Sequence, residues 1–362
     1  MAKIKAGIIG CGNISSIYFK NCSGFKDLEV VACADLDLQR AKDKAEEFGI
    51  QKAYTVDELL ADRDIQMVIN LTIPAAHGQV CLQALEAGKH VYVEKPLSIS
   101  LEDGKKILHM AEEKGLLAGG APDTFLGGGL QTCRKLVDDG WIGKPVAASA
   151  FMTSHGVEMW HPNPDFFYQE GGGPLFDMGP YYLTALISLI GPVKRVTGSA
   201  GISFPERTIT SEPNYGKTIK VNTPTHIAGV LDFENGAIGS LITSFDVWGA
   251  QLPRIEIYGE TGTLSVPDPN TFGGPVQVRR QNEKEWKEVP LTHGYTSNSR
   301  GLGAADMARA ILEGRPHRAN VGLTYHVLEL MHGFHQASRE GKHYHLESTV
   351  ERPKALAMDE TF

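Results

Sequence analysis

Residues 4–15 read IKAGIIGCGNIS, an apolar run that leads into two glycines separated by one residue. The apolar run is typical of a buried parallel strand, and NISSIYFKNCSGF (13–25) continues with helical spacing. Gly10 permits a tight turn between these elements, and Gly12 allows the backbone to approach a phosphate group at the helix N-terminus. A strand, a glycine turn and a helix in this order predict the first unit of a dinucleotide-binding fold.

A second predicted strand, LEVVACAD (28–35), ends on an acidic residue. In a dinucleotide-binding fold, a carboxylate at this position accepts hydrogen bonds from the ribose hydroxyls and repels a 2′-phosphate. No arginine directly follows Asp35, and Arg40 lies a turn inside the next predicted helix. We therefore predict NAD as the cofactor and regard NADP as less favoured. The alternative is an ordinary strand–turn–helix corner without a ligand.

The texture of the chain changes at about residue 122. Before that point, short β-rich runs alternate with helical patterns, which predicts a doubly wound parallel sheet. After it, longer alternating segments appear, with turn signals such as Asn235-Gly236 and with helices on either side. We predict an α/β Rossmann domain over residues 1–122. We predict an α+β domain with a large, mostly antiparallel sheet, for substrate binding and oligomerisation, over residues 123–362.

Composition narrows the class of protein. The 362 residues carry a net charge of −8 without a block of Lys and Arg, which argues against nucleic acid or an anionic membrane as a partner. The five cysteines are scattered and lack metal-ligand spacing, so we predict a reducing compartment and no metal site. The N-terminus does not resemble a signal peptide, and no apolar run approaches membrane-spanning length. We predict a cytoplasmic protein.

A second glycine-rich stretch, GGGPLFDMGPYYLTAL (171–186), precedes another apolar segment. We expect Asp177 to start a helix there, with Tyr181 one turn later on the same face, so that both could face one small molecule. The alternative is an ordinary helix start in which Asp177 is the N-cap and the tyrosines are half buried.

The strand VYVEKPLS (91–98) carries the sequence Glu94-Lys95-Pro96. Together with the Rossmann half and the GGGxLxDxG helix start, it resembles the Gfo/Idh/MocA family of nicotinamide-dependent oxidoreductases. TIPAAH (72–77) and GLGAADMARAILEGRPHRA (301–319) extend this resemblance to nearly the whole chain. Compared with the family's D-x-G-x-H-x-x-D helix, Tyr181 takes the histidine position and Thr184 that of the last acid.

The resemblance implies a lysine beside the nicotinamide, substrates among sugars and cyclitols, and dimers or tetramers built through the large sheet. We accordingly predict a carbohydrate substrate and a homodimer or homotetramer. The motifs and the resemblance together predict cofactor contacts from Gly10, Gly12, Asn13, Ile14, Asp35, Thr72, Pro74, His77, Glu94 and Lys95.

Oxidation of a secondary alcohol requires a base close to the hydroxyl group. Lys95 is the first candidate, because desolvation and the cationic nicotinamide both lower the pKa of a nearby ammonium. Tyr181 is the second, because an ammonium beside it would lower the pKa of its phenol, and Asp177 would orient the substrate or the lysine. Tyr181 could equally be a half-buried tyrosine that only shapes the pocket.

The loop SHGVEMWHPNPDFFYQE (154–170) leads directly to the second glycine-rich stretch. We predict that Trp160 or Tyr168 stacks on an apolar sugar face or on an aglycone, and that His161 replaces the missing imidazole as proton carrier. The alternative is a structural loop with surface histidines. These residues complete the predicted substrate site, whose members are Lys95, Trp160, His161, Tyr168, Asp177 and Tyr181.

The sequence thus predicts an NAD-dependent dehydrogenase that oxidises a secondary hydroxyl of a sugar, glycoside or cyclitol. Two alternatives stay open. One is an NADP-linked reductase or dehydratase-like relative, and the other is a non-catalytic NAD-binding redox sensor. Retention of Lys95 and Asp177 argues against the sensor.

Overall fold

A computed structural model describes residues 2–362, which form two compact units. The first unit contains the residues up to Leu126 together with Asn298–Leu328 and Leu356–Phe362. The second contains Gly127–Ser297 and Glu329–Ala355. The predicted boundary at residue 122 lies close to the first division. The chain nevertheless returns to the first unit after residue 297, because a late helix packs against its sheet, whereas the prediction placed all of 123–362 in the second domain.

The first unit is built on a parallel sheet of six strands in the order β3-β2-β1-β4-β5-β6. This is the strand order of a dinucleotide-binding fold, so the predicted Rossmann domain is confirmed. The order reverses between β1 and β4, and ligands of such sheets bind beyond the carboxyl ends of the strands at that point. The strands are β1 (Ile4–Ile9), β2 (Leu28–Ala34), β3 (Lys52–Tyr54), β4 (Met67–Asn70), β5 (His90–Val93) and β6 (Ala118–Gly120).

Helices connect these strands, and several of them start on capping side chains. Asp37 accepts hydrogen bonds from the backbone of the first turn of α2, and Thr55 and Glu58 form a capping box at α3. α2 and α5 both end on a left-handed glycine, Gly49 and Gly115. The helices are α1 (Ser15–Cys22), α2 (Leu38–Phe48), α3 (Val56–Ala61), α4 (Pro74–Glu86) and α5 (Leu101–Lys114).

The second unit contains a nine-stranded sheet in the order β16-β15-β14-β13-β7-β12-β11-β8-β17. Only the pair β7/β12 is parallel among the described pairs, so the predicted mostly antiparallel sheet is confirmed. The strands are β7 (Pro145–Thr153), β8 (Val193–Gly201), β9 (Glu206–Thr208), β10 (Thr218–Lys220), β11 (His226–Phe233), β12 (Ile238–Ser244), β13 (Ile255–Gly259), β14 (Gly262–Val266), β15 (Val276–Arg280), β16 (Lys287–Val289) and β17 (Tyr344–His345).

Helices cover one face of this large sheet, and β9 and β10 form a separate two-stranded sheet. The remaining α-helices within residues 2–362 are α6 (Gly128–Asp138), α7 (Gly173–Leu189), α8 (Leu302–Glu313) and α9 (Val321–Glu340), and short 3-10 helices span Thr124–Leu126 and Asp165–Tyr168. α7 is the central one and packs against β7, β11 and β12. In the first unit, α8 packs against β1, β2 and β5.

Candidate functional site

The turn after β1 has the geometry that a bound pyrophosphate requires. Gly10 has a φ of +100°, and a Cβ there would lie 2.7 Å from the backbone of Leu71, so only glycine fits without strain. A Cβ on Gly12 would meet nothing within 4 Å, which leaves this backbone open to a ligand. α1 begins three residues later, and its first turn supplies backbone N–H groups beside this open position.

The carboxylate of Asp35 is fixed beside this turn. It is 9% exposed, and its Oδ2 accepts a hydrogen bond of 2.8 Å from the backbone N–H of Cys11. Its Oδ1 accepts from the backbone N–H of Asp37 at 2.9 Å. Asp35 therefore lies where the fold places a ribose-binding acid, with a fixed orientation.

Arg40 also reaches Asp35, which the sequence spacing did not predict. Its Nη1 lies 3.3 Å from Oδ1 of Asp35, and its side chain is about half exposed. The contact arises because α2 starts at Leu38, so Arg40 lies in the first turn, beside the carboxyl end of β2. A guanidinium thus lies next to the ribose-binding position.

Three large apolar side chains are exposed just beyond the carboxyl ends of neighbouring strands. Ile14 follows β1, Leu36 follows β2 and is 99% exposed, and Ile73 follows β4 and is 69% exposed. Asn13 is exposed beside them, and Thr72 and Pro74 are partly exposed. Exposed apolar side chains grouped at a ligand-binding edge are typical of a site for a flat ring. Leu36 and Ile73 were not predicted from the sequence; Leu36 offered a signal, as a lone large apolar residue between Asp35 and Asp37, and Ile73 did not.

His77 is buried and bonded on both sides. Its Nδ1 lies 2.6 Å from the carbonyl oxygen of Pro96, and its Nε2 lies 2.9 Å from that of Thr72. Burial lowers the pKa of His77, against the effect of the two carbonyl groups. Its ring therefore joins the segment after β4 to the segment after β5. We expect His77 to fix the position of Lys95 through its bond to the neighbouring Pro96, rather than to touch the cofactor as the sequence suggested.

Glu94 holds the end of β5 in place. The hydroxyl of Tyr18 donates to Glu94 Oε1 at 2.7 Å, and the backbone N–H of Lys95 donates to Oε2 at 2.9 Å. Both oxygens of this buried carboxylate thus have partners within the protein. The side chain of Lys95 follows as a partly buried group.

The helix that carries Asp177 begins earlier than predicted. α7 starts at Gly173, with Pro174 in its first turn, so the prediction that Asp177 starts the helix is wrong. Gly171, just before the helix, and Gly173, its first residue, have φ values of +81° and +79°, which favour glycine at both positions. Asp177 lies in the second turn and is partly exposed, and Tyr181 is buried one turn later. The two side chains still share one face.

His161 lies near Asp177. Burial lowers the pKa of the His161 imidazole, and the carboxylate of Asp177 acts in the opposite direction. The Asn163 N–H donates to His161 Nδ1 at 3.1 Å. An imidazole thus lies close to the helix on which the family histidine is replaced by tyrosine.

The two predicted stacking residues differ in exposure. Trp160 is exposed, with its ring edge-on to His161. Tyr168 is fully buried, and its hydroxyl donates to the carboxylate of Glu158. The predicted stacking of Tyr168 on a substrate is therefore not supported, because its ring is enclosed by the core beneath the loop. Lys95 belongs to the first unit and Asp177 to the second, and their joint action on one substrate stays a prediction.

Two further findings concern membranes and metals. None of the helices within residues 2–362 combines the length and the apolar character needed to cross a bilayer. Over the same residues, no group of three or more His, Cys, Asp or Glu side chains is arranged to hold a metal ion.

Comparisons with known proteins give a consistent result. Residues 4–119 match the family model described as an oxidoreductase family with an NAD-binding Rossmann fold, and residues 130–265 match the C-terminal domain of the GFO/IDH/MocA family. A 1,5-anhydro-D-fructose reductase of Ensifer adhaerens is 33% identical over 79% of this chain and 82% of its own length. A myo-inositol 2-dehydrogenase of Thermotoga maritima is 25% identical over 72% of this chain and 74% of its own.

Among solved structures, a levoglucosan dehydrogenase in complex with NADH and levoglucosan superposes with a TM-score of 0.82. It is 20% identical, and the match covers 96% of this chain and 100% of that one. At this identity the likeness establishes the fold.

Proposed function

The chain belongs to the Gfo/Idh/MocA family of oxidoreductases and carries its NAD-binding domain, and we propose that it oxidises a secondary hydroxyl of a sugar, glycoside or cyclitol. The observation that carries the proposal is the fixed carboxylate of Asp35 beside the glycine turn. The relatives named above, an inositol dehydrogenase and an anhydrofructose reductase, support a carbohydrate substrate.

The residues of the first unit fit NAD. The open backbone at Gly12 and the N-terminus of α1 suit the pyrophosphate, and Asp35 suits the ribose hydroxyls. Leu36 and Ile73 offer apolar surface to the adenine or nicotinamide rings. Bound NAD supplies the hydride acceptor, and the protein must handle the proton.

Three side chains are candidates for that proton. Lys95 follows a strand end that Glu94 and His77 hold in place, so it is well positioned as the base. Tyr181 takes the family histidine's place on α7, and His161 supplies an imidazole near Asp177. We assign the proton to Lys95, with Asp177 orienting the substrate, and keep Tyr181 and His161 as alternative partners of the lysine.

A second candidate function rests on Arg40. A guanidinium at the ribose-binding position can pair with a 2′-phosphate, which favours an NADP-linked sugar reductase. Asp35 disfavours the same phosphate by charge repulsion, and it is buried while Arg40 is half exposed. We therefore rank NAD first.

We further propose that two copies associate through the uncovered face of the nine-stranded sheet. In its centre, Ile242 of β12 pairs with Phe151 of β7 and Ala228 of β11, and all three are partly exposed. Ile242→Glu should convert a dimer or tetramer to smaller species in light scattering after gel filtration. The control is Leu312→Glu, which places the same charge on α8. An unchanged mass for Ile242→Glu would contradict this interface.

The test of the function is NADH formation by the full-length protein, followed by absorbance, with free sugars, glycosides and cyclitols. NAD and NADP are compared side by side, and Lys95→Met is the blank. We expect turnover with one substrate class, with NAD preferred, and none in Lys95→Met. Calorimetry should show that this variant still binds NAD. If the unaltered protein binds NAD but forms no NADH with any of these compounds, the redox-sensor alternative is favoured.

A further inference from the structure

A pocket of about 270 Å³ lies within the second unit, between the loop that follows β7, the two-stranded sheet and the loop that follows β12. We call it the Trp248 pocket. Its volume lies just below the range of about 300–1,000 Å³ that is usual for drug-sized ligands, so it suits a single small ring. Its walls are formed chiefly by His155, Met159, Phe204, Arg207, Thr208 and Trp248.

One wall of the pocket is a stacked aromatic platform. The ring of Trp248 is 78% exposed and lies on the imidazole of His155, with centroids 3.4 Å apart and planes inclined by 14°. Phe204 is exposed as well and meets His155 edge-on at 6.2 Å. The face of an aromatic ring is electron-rich and attracts the C–H groups of a flat, partly apolar ring. Exposed aromatic rings around a pocket mark a binding surface for such a ring.

The floor of the pocket holds a buried arginine. Arg207 is 5% exposed, pairs with Glu158 at 3.0 Å, and also bonds the carboxylate of Asp246. Its Nε has no hydrogen-bond partner within the described part of the chain. This N–H is itself buried, so it belongs to a guanidinium that Glu158 and Asp246 hold beneath the pocket and is not open to a ligand.

The charges around the pocket select the kind of ligand. Glu158 and Asp246 already balance the guanidinium of Arg207, and Glu206 adds a further carboxylate to the lining. An anionic ligand is therefore disfavoured. The exposed Thr208 supplies a hydroxyl that can donate and accept. Polar hydroxyls beside an aromatic platform suit a neutral ring with hydroxyl groups and C–H faces, which describes a pyranose.

The pocket is close to Asp177 through the same loop. Met159 lines the pocket, and His161, two residues later, lies near enough to Asp177 for that charge to raise its pKa. Two residues span at most about 7 Å. The turn at Val157, whose carbonyl accepts from the N–H of His161 at 2.9 Å, makes this span shorter.

We infer that the Trp248 pocket binds the second pyranose ring of a glycoside whose oxidised ring lies at Asp177. This inference rests on the proposed function and narrows its substrate class from sugars, glycosides and cyclitols to glycosides of two rings. Trp248 stacks on the ring, and the exposed hydroxyl of Thr208 bonds one of its oxygens.

The test compares cellobiose and maltose with D-glucose, using the full-length protein. In the kinetic arm, Trp248→Ala should lower the ratio of kcat/KM for the better disaccharide to that for glucose by about tenfold. That is the loss expected for about 1.4 kcal/mol of stacking. The change should appear in KM. Phe204→Ala should act in the same direction. Trp286→Ala, an exposed tryptophan outside the pocket, is the matched control and should leave the ratio unchanged.

A binding arm separates this inference from the proposed function. Calorimetric titration of the same two disaccharides needs no turnover, and binding by the unaltered protein that weakens about tenfold in Trp248→Ala supports the pocket even if no sugar is oxidised. Circular dichroism should show that the variant is folded, because Trp248 is exposed and leaves no core cavity. An equal effect on glucose and disaccharide, no effect of Trp248→Ala, or no saturable binding of either disaccharide would overturn the inference while leaving sugar oxidation itself intact.

Discussion

Replacement of Asp35 by serine should exchange the cofactor preference of the protein. A carboxylate offers about four lone-pair positions. Three of them are used by the N–H groups of Cys11 and Asp37 and by Arg40. About one position is left for the ribose, and a hydrogen bond to a charged group contributes about 1.5–3 kcal/mol. Its loss should raise KM for NAD about 10- to 100-fold.

The same substitution should improve the use of NADP. Removal of the carboxylate removes its repulsion of the 2′-phosphate and frees Arg40, which now bonds Asp35 at 3.3 Å, to pair with that phosphate. We therefore expect kcat/KM for NADP to rise while kcat/KM for NAD falls. The ratio of the two should change by a larger factor than the fall in kcat/KM for NAD. Initial-rate measurements with both cofactors, on the substrate found in the panel, give this ratio.

A loss of stability could mimic part of this effect, so a matched variant is needed. Asp35→Ser leaves the buried N–H of Cys11 without its acceptor, which should cost about 1–3 kcal/mol of unfolding free energy. Thr55→Ala removes the N-cap of α3 at a cost of about 1 kcal/mol but leaves both Asp35 and Arg40 in place. It should destabilise the protein without changing the cofactor ratio. A folded Asp35→Ser protein with an unchanged ratio would refute the assignment of Asp35 to the ribose.

Three further predictions concern the proton and the pH dependence of stability. Tyr181→Phe should lower kcat about 100-fold or more if the phenol takes part in proton transfer, whereas a nearly normal kcat assigns it to pocket shape. If His161 is the partner of Lys95 in proton transfer, His161→Gln should remove the acidic limb of the pH profile of kcat/KM, and burial places that limb below the ordinary histidine pKa of about 6.5. A retained limb would exclude this imidazole. Burial raises the pKa of Asp123 from 3.8 to about 6, so the folded state binds the proton more tightly, and stability falls as pH rises from about 4 to 6 and stays lower above it. Asp123→Asn keeps an oxygen that accepts from the N–H groups of Gly301 and Gly303. This variant should remove up to about 3 kcal/mol of the change in unfolding free energy between about pH 4 and 6. An unaltered pH dependence in chemical denaturation would contradict the buried-acid explanation.

The Rossmann unit could be predicted in detail because its signals are local. Each strand is a short apolar run, each turn carries its own glycine or cap, and parallel connections between such units follow one handedness. The position of Asp35 at the end of β2 follows from the same pattern. The contact between Asp35 and Arg40 was not predicted because it depends on the residue at which α2 begins. Helix boundaries are the feature that sequence patterns predict least precisely.

The second unit was harder to predict because its site depends on contacts between distant segments. Asp177 was taken as a helix start because Asp is a preferred N-cap, but Pro174 and the preceding glycines start α7 one turn earlier. The Trp248 pocket joins three segments, around residues 155–159, 204–210 and 248. The polar composition of residues 209–225 indicates a loop or an irregular segment at a sheet edge. The strand Thr218–Lys220 within it is defined by its pairing with β9. No periodicity within one segment indicates such a meeting.

Because the first unit is built from segments far apart in the sequence, it cannot be completed early in synthesis on the ribosome. α8 packs against β1, β2 and β5, and the backbone at its start bonds the buried carboxylate of Asp123. The segment up to Leu126 is therefore translated long before the helix that completes its packing. At about 5–20 residues per second, the delay until Leu302 is roughly 9–35 s. During that interval, the apolar surface that α8 covers in the folded protein stays exposed. We expect a chaperone that binds emerging chains to bind this part of the nascent protein.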